Sequence, residues 1–286
     1  MKIFVTGGTG YLGGNFIELA LRRNHNIFAT TRKYQKNKKN LKWLKGPFYK
    51  NWKELEKADV LIHFAAEGVY DKTCSLKKCI DINFIKSQRL ILNALNAKCR
   101  KWIIISSCYE KILNYKDIVK RKFKDKKNHQ YFNYALSKYL FTKLCISIAK
   151  KNKIKCRVLR LFQIYGKNEN KKRLWPSLIN ASKKNKNFKM SLGHQINDFS
   201  HVDELCKTLL QTLNFSNKNK SFPQLWDVAS GKNQSVKSFA NRIWKKRKSK
   251  GKLLFGKIRL NNIKNFRPNK KILWKIKSNE QKMFSY

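Results

Sequence analysis

Residues 2–13 read KIFVTGGTGYLG: a short apolar strand, a turn rich in glycine, and the entry to a segment (Asn15 to Arg23) whose Phe16, Leu19 and Ala20 recur at helical spacing. Gly7, Gly10 and Gly13 form a G-x-x-G-x-x-G arrangement between strand and helix. Gly7 allows the sharp turn, Gly10 lets the backbone approach a pyrophosphate, and Gly13 lets the helix pack on the sheet. The helix start adds unpaired N–H groups and positive potential. A glycine pattern alone is weak, but with a strand before it and a helix after it the turn points to a dinucleotide, lined by Gly7, Thr9, Gly10, Tyr11, Leu12 and Gly13.

Working outward, strand-like runs follow at Asn26 to Thr31, 59–66 (DVLIHFAA), 102–106 (WIIIS) and 156–162 (CRVLRLF). Helical periodicity occupies Asp81 to Leu95 and Tyr134 to Lys150, while Arg32 to Lys45 reads as a basic loop and Asn114 to His129 as a polar, Lys-rich stretch. Alternation of this kind predicts an α/β fold, a Rossmann-type doubly wound parallel sheet with short right-handed crossovers. Beyond Gly166 the pattern loosens into a charged loop, a helix around Pro176 to Ser182, a hairpin-like piece near Phe188 to His194, a helix from Asp203 to Leu213, a strand at Trp226 to Ala229, a helix from Val236 to Lys245 and a basic tail. The expected division is a dinucleotide-binding domain over 1–165, to which 200–230 returns, and a smaller C-terminal substrate-binding region over 166–199 and 231–286.

The 286 residues carry 66 Lys plus Arg against 16 Asp plus Glu, a formal charge of +50, so the expected partners are anions. With 42% hydrophobic residues the chain has the means to fold, although 29% are charged. No apolar run approaches the roughly 20 residues of a membrane-spanning helix, and Met1 leads into a strand, not a signal peptide. Seven cysteines, an odd number without CxxC spacing, fit a reduced, cytoplasmic chain with no metal site. The basic excess is dispersed as on a solvated surface; nucleic-acid binding is the minority reading, because no zinc finger or RNP motif is present.

In a dinucleotide fold an acid near the end of the second strand accepts the ribose hydroxyls of NAD. Here that strand ends Thr30, Thr31, Arg32, Lys33. Cations at that place suit a 2′-phosphate, so NADP is expected over NAD. Tyr134 and Lys138, in YALSK, lie four apart on a predicted helix and project from one face. An ammonium beside a phenol is expected to lower the phenol's pKa toward a useful range. Ser107, at the C-terminal end of the WIIIS strand, stands where ligands bind in open α/β sheets and can hydrogen-bond a substrate oxygen.

These residues resemble the extended short-chain dehydrogenase/reductase family, the nucleotide-sugar epimerases, dehydratases and ketoreductases. TGGTGYLG, DVLIHFAA, Asn83, ISSC, YALSK, RLFQIYG (160–166), LWPSLI, GHQINDFSHVDEL (193–205) and DVASGKNQSVKSFA (227–240) fall in that family's order across nearly the whole chain. The resemblance implies that Ser107, Tyr134 and Lys138 form the catalytic triad and that Lys138 also holds the nicotinamide ribose. Ala65, Ala66 and Asn83 would line the cofactor, and Ser107, Cys108, Gln163, Arg173 and Asn197 would face a nucleotide-diphosphate sugar. It also implies a homodimer.

Departures from the pattern narrow the reaction. Cys108 and Tyr109 stand where 4,6-dehydratases carry an Asp-Glu pair, so dehydration is not expected. Gln163 replaces a more usual Asn, Lys111 a Tyr, and Asn197 the Arg that normally binds the diphosphate, leaving Lys172, Arg173 or Lys189 to compensate. The chain stops soon after Trp274, where the family has a further helix. Cys108 reads as packed and inert, His63 as a core or cofactor-lining residue, and His201 with Asp203 as a helix start. The leading reading is an NADPH-dependent 4-ketoreductase of a nucleotide-linked 4-keto-6-deoxy sugar. A nucleotide-sugar 4-epimerase with bound NAD and a non-catalytic RNA-binding member are the alternatives.

Overall fold

The computed structural model describes residues 1–69, 74–113, 131–216, 221–259 and 265–277. The Lys-rich stretch from Asn114 to His129 and the end of the basic tail lie outside the described residues. In chain order the first elements are β1 (Lys2–Thr6), α1 (Tyr11–Arg22), β2 (Asn26–Thr31), β3 (Leu41–Lys45), β4 (Val60–His63), α2 (Leu76–Ile80), a π-helical continuation (Asp81–Lys86), α3 (Ser87–Asn96), β5 (Lys101–Ser107), α4 (Phe132–Lys151) and β6 (Lys155–Leu161). There follow β7 (Gln163–Tyr165), α5 (Leu174–Lys183), β8 (Phe188–Lys189), β9 (Ile196–His201), α6 (Val202–Gln211), β10 (Gln224–Ala229), β11 (Asn233–Ser235), α7 (Val236–Lys246), β12 (Leu253–Leu254) and β13 (Leu273–Lys275). The chain divides into two compact units, Met1–Leu161 with Cys206–Trp226, and Phe162–Leu205 with Asp227–Tyr286.

In the first unit a parallel sheet runs in the order β6-β5-β4-β1-β2-β3, and β10 enters beside β6. The registers include Val5 with Ala29, Val5 with Ile62, and Ser107 with Leu161. Ile3, Phe4, Val5, Val60, Leu61 and Ile62 are fully buried, as strands covered on both faces require. Each such side chain contributes about 1.5–3 kcal/mol relative to exposure. Phe4, Leu61, Trp102, Phe141 and Val158 share one core cluster. The order reverses around β1 and β4, which places a ligand crevice at the C-terminal ends of these strands.

Two local expectations change. The segment 41–45 was expected in a basic loop, yet it is a strand: Leu41 and Leu44 are buried while Lys42 and Lys45 stay exposed. The helix expected over Asp81 to Leu95 starts at Leu76, where the Ser75 side chain caps it by accepting from Lys78 N, and widens to π geometry over Asp81–Lys86.

In the second unit β9 pairs parallel with β7 and antiparallel with β11, and the last residues of β10 pair parallel with β13. The piece near Phe188 to His194 is no hairpin: Phe188 and Lys189 pair parallel with Leu253 and Leu254, a partner far along the chain. Tyr165, Trp175, Leu178, Phe239, Ile243 and Trp244 form this unit's core, with Phe199 stacked on Phe239 at 4.0 Å between ring centroids. Among the described residues no helix is long and apolar enough to cross a membrane. Among them no group of three or more His, Cys, Asp or Glu side chains could hold a metal ion.

Candidate active site

The glycine turn and the end of β4 are in direct contact. A Cβ at Gly7 (φ +72°) would stand 2.6 Å from Ala65 N, and one at Gly13 only 2.3 Å from Gly7 O. Neither position accepts a side chain without moving backbone. Gly10 N donates to Gly7 O at 3.0 Å, and Gly10 caps α1 with no side chain of its own. The first turn of α1 contains no acid, so nothing negative opposes an anion there. Thr9 and Gly10 are exposed, and Tyr11, Leu12, Ala65 and Ala66 are partly so. This glycine-lined concavity, with unopposed helix N–H groups, fits the diphosphate of a dinucleotide.

Where β2 ends, Thr31 Oγ1 donates to Lys33 O at 2.7 Å and accepts from Lys33 N at 3.2 Å, turning the chain and leaving Arg32 and Lys33 exposed. No carboxylate occurs between Asn26 and Asn40. Asn83, expected to line the cofactor, uses its amide within the protein: Oδ1 accepts from Glu67 N at 2.7 Å, and Nδ2 donates to Glu67 O and to Ser137 Oγ, both at 2.9 Å. It clamps the segment after β4 to α4, the helix that carries Tyr134.

β5 delivers Ser107 into a 3₁₀ turn, Cys108–Ile112, whose first N–H from Tyr109 reaches Ser107 Oγ at 3.2 Å. Ser107 lies near enough to the Tyr134 phenol to oppose the rise in its pKa. Tyr134 and Lys138 are both buried on α4, and Lys138 Nζ donates to Ile105 O at 2.7 Å. The structure thus brings Ser107, Tyr134 and Lys138 together at the C-terminal end of β5.

Burial pushes the Tyr134 phenol well above its ordinary value, with the Ser107 hydrogen bond as the opposing influence. Burial likewise lowers Lys138 to about 8, opposed by the charge of Glu110. The expected acidification of the phenol by the ammonium is therefore not realised. Desolvation of the buried phenolate sets the direction, and the ammonium is engaged with Ile105 O.

Three neighbours complete the picture. Cys108 is 1% exposed. His63 is a core residue: its Nδ1 lies 2.6 Å from Thr6 Oγ1 and its Nε2 3.0 Å from Ser87 Oγ. Burial and then the charge of Lys138 hold its pKa well below the usual imidazole value. Glu110 was missed from the sequence. It is 2% exposed and accepts hydrogen bonds from Ser106 Oγ and, at 2.6 Å, from Thr142 Oγ1. Two signals could have found this group: Thr142 continues the four-residue spacing of Tyr134 and Lys138, and acids are scarce in this chain.

In the second unit Arg173 donates to Gln163 Oε1 at 3.4 Å and lies 3.4 Å from Glu169 Oε1. Asn197, on β9, is buried with no hydrogen-bond partner for Oδ1 among the described residues. Gln163 on β7 is in register with Phe199, two residues along β9 from Asn197. Lys172 and Lys189 are exposed. His201 and Asp203 sit at the start of α6, with Asp203 N donating to His201 Nδ1 at 3.3 Å.

A parallel sheet in Rossmann order, a glycine cradle on its first crossover and a Ser, Tyr, Lys group at a strand end define a dinucleotide-dependent short-chain dehydrogenase/reductase architecture. The chain belongs to the NAD dependent epimerase/dehydratase family, which it matches over residues 3–225. It is 26% identical over 249 residues to CDP-abequose synthase of Salmonella typhimurium, covering 83% of this chain and 78% of that one. It is also 26% identical over 263 residues to ADP-L-glycero-D-manno-heptose-6-epimerase of Brachyspira hyodysenteriae, covering 84% and 80%. Among solved structures, MoeE5 in complex with UDP-glucuronic acid and NAD superposes with a TM-score of 0.79 at 17% identity, covering 99% of this chain and 96% of that one. UDP-N-acetylglucosamine 4-epimerase from Methanobrevibacter ruminantium M1 does so with a TM-score of 0.79 at 19% identity, covering 99% and 95%.

Proposed function

We propose that the protein is an NADPH-dependent 4-ketoreductase of a nucleotide-linked 4-keto-6-deoxy sugar. The observation that carries the reading is the placement of Tyr134 and Lys138, both buried and four apart on α4, against the end of β5 that presents Ser107. Nicotinamide C4, when the cofactor is bound, supplies the hydride. Ser107 holds the carbonyl oxygen, and Tyr134 gives that oxygen its proton as negative charge develops there. Lys138, one turn along α4 from Tyr134 and cationic below about pH 8, would hold the nicotinamide ribose.

Dehydration is disfavoured because Cys108 and Tyr109 follow Ser107, and the nearby Glu110 is engaged by Ser106 and Thr142. The relative named CDP-abequose synthase and the neighbours solved with UDP-glucuronic acid or UDP-glucose support a nucleotide sugar as substrate. Arg32 and Lys33, in a strand end without a carboxylate, support NADPH.

The test is purified protein incubated with NADPH or NADH and a panel of 4-keto nucleotide sugars. Net NADPH oxidation is expected. Redox-neutral interconversion of sugars would favour the 4-epimerase, and silence with salt-sensitive RNA binding would favour a non-catalytic role. Arg32→Ala should weaken NADPH binding by about 10-fold or more, the worth of a charge-assisted hydrogen bond, and leave NADH binding nearly unchanged. Tighter binding of NADH by the wild type would overturn the NADPH assignment.

A further inference from the structure

Three buried side chains at the base of the glycine turn form one run of hydrogen bonds that the chemistry at Tyr134 does not use: Thr6 at the end of β1, His63 at the end of β4, and Ser87 just after the π-helical turn. His63 Nδ1 lies 2.6 Å from Thr6 Oγ1, and its Nε2 3.0 Å from Ser87 Oγ. The direction of each bond follows from the far end. Ser87 Oγ donates its one proton to Ile82 O at 2.9 Å, five residues back, so towards His63 it can only accept. His63 Nε2 therefore carries the ring proton. Burial keeps the imidazole neutral, which leaves Nδ1 bare to accept the Thr6 hydroxyl proton.

With its proton directed at the ring, Thr6 Oγ1 offers a lone pair to Ala65 N–H, 3.4 Å away. Ala65 N is also the atom against which Gly7 packs, the one a Cβ on Gly7 would approach to 2.6 Å. The run thus ends on the backbone amide that the first glycine of the dinucleotide turn rests on. The rings of Phe48 and Phe141, centred 5.4 and 5.5 Å from the imidazole, oppose its turning over.

We propose that His63, in its Nε2–H form, is a positioning residue for the dinucleotide crevice: it orients the Thr6 hydroxyl, which holds the Ala65 amide beneath the glycine turn. The proposal rests on the dinucleotide reading above. The other tautomer would set a bare Nε2 against a Ser87 oxygen whose proton is already committed, and would turn the Thr6 proton away from the ring, each at the loss of a buried hydrogen bond. A residue that only filled the core would be indifferent to which nitrogen holds the proton.

Two of the measurements that test this need no ligand. In protein labelled with ¹⁵N at its five histidines, the His63 ring signals are identified by their loss in His63→Asn. Nε2 should resonate as a protonated nitrogen and Nδ1 as a bare one; the reverse, or an averaged mixture, overturns the proposal. Hydrogen exchange at the Ala65 amide should quicken about 10-fold in Thr6→Val and in His63→Leu, and slow again in His63→Asn, whose Oδ1 can accept from Thr6 where Nδ1 did. Unchanged exchange in both of the first two variants overturns it equally. Finally, dinucleotide binding, measured calorimetrically with NADPH and with NADH, should weaken about 10-fold in His63→Leu and recover in His63→Asn. Should His63→Leu not fold, Thr6→Val carries the exchange and binding measurements. Wild-type affinity in a variant whose Ala65 amide exchanges faster removes His63 from the positioning of the crevice. Wild-type protein that binds neither dinucleotide refutes the cofactor reading on its own account, and the Ala65 exchange still reports whether His63 positions that amide.

Discussion

Lys138 in the first unit and Asp198 in the second are both buried charged side chains, and their surroundings differ in kind. Asp198 is enclosed by donors: Ser230 N at 2.9 Å and Ser200 Oγ at 3.3 Å on one oxygen, Gly231 N at 2.7 Å and Ser230 Oγ at 3.0 Å on the other. Burial raises its pKa, and these four contacts pull it back. Lys138 has the carbonyl of Ile105 as its partner, near two hydroxyls, those of Ser107 and Tyr134. A charge surrounded by backbone and hydroxyl donors fixes loops. A charge left near its titration point beside a phenol can respond when that phenol gives up a proton.

The contrast predicts that substitutions at the Ser107, Tyr134, Lys138 group are read in chemistry and those at the buried carboxyls of the second unit in stability. The largest effect is expected from Tyr134→Phe, which removes the proton donor and little volume: turnover should fall about 10²- to 10⁴-fold while dinucleotide binding and the melting temperature stay close to wild type. Steady-state kinetics beside a cofactor titration checks this, and retained turnover would remove Tyr134 from the chemistry.

Gly13→Ala should come next. Its Cβ would sit 2.3 Å from Gly7 O, so the turn must shift, at about 1–3 kcal/mol of stability and with loss of dinucleotide binding. Thermal unfolding with and without NADPH would show a lower transition that the cofactor no longer raises.

The smallest effect concerns Glu169 in the second unit, whose buried carboxyl is raised to about 7, chiefly by desolvation, against the pull of Arg173. A carboxyl raised in the folded state contributes stability that is fully present below its unfolded value near 4.5 and is lost as pH rises through about 7. Glu169→Gln should abolish that loss, leaving the variant more stable than wild type by roughly 1–3 kcal/mol at pH 8 and nearly equal to it at pH 4.5. Denaturant unfolding at the two pH values measures the difference. An equal gap at both would place Glu169 among ordinary solvated carboxylates.

Much of the first unit was legible in sequence because its signals are local. A strand of alternating or continuous apolar residues, a turn that only glycine can make, and two side chains four apart on a helix each need no knowledge of distant residues. Ser107 at the end of WIIIS and the Tyr134–Lys138 spacing were readable in this way. β3 was not, because two leucines among lysines read as a loop until β2 lies alongside them. The pairing of Phe188 with Leu253 was not, because a two-residue strand has no period of its own.

From the residues alone came the dinucleotide turn, the parallel sheet and the identity of the serine, the phenol and the amine. Only the folded chain decided their electrical state. Burial raises the pKa of the phenol further, Asn83 is occupied as a clamp, and Glu110 meets Thr142 across 32 residues of chain. Charge states in a protein interior depend on which groups remote in sequence are brought within a few ångströms, and no local pattern encodes that.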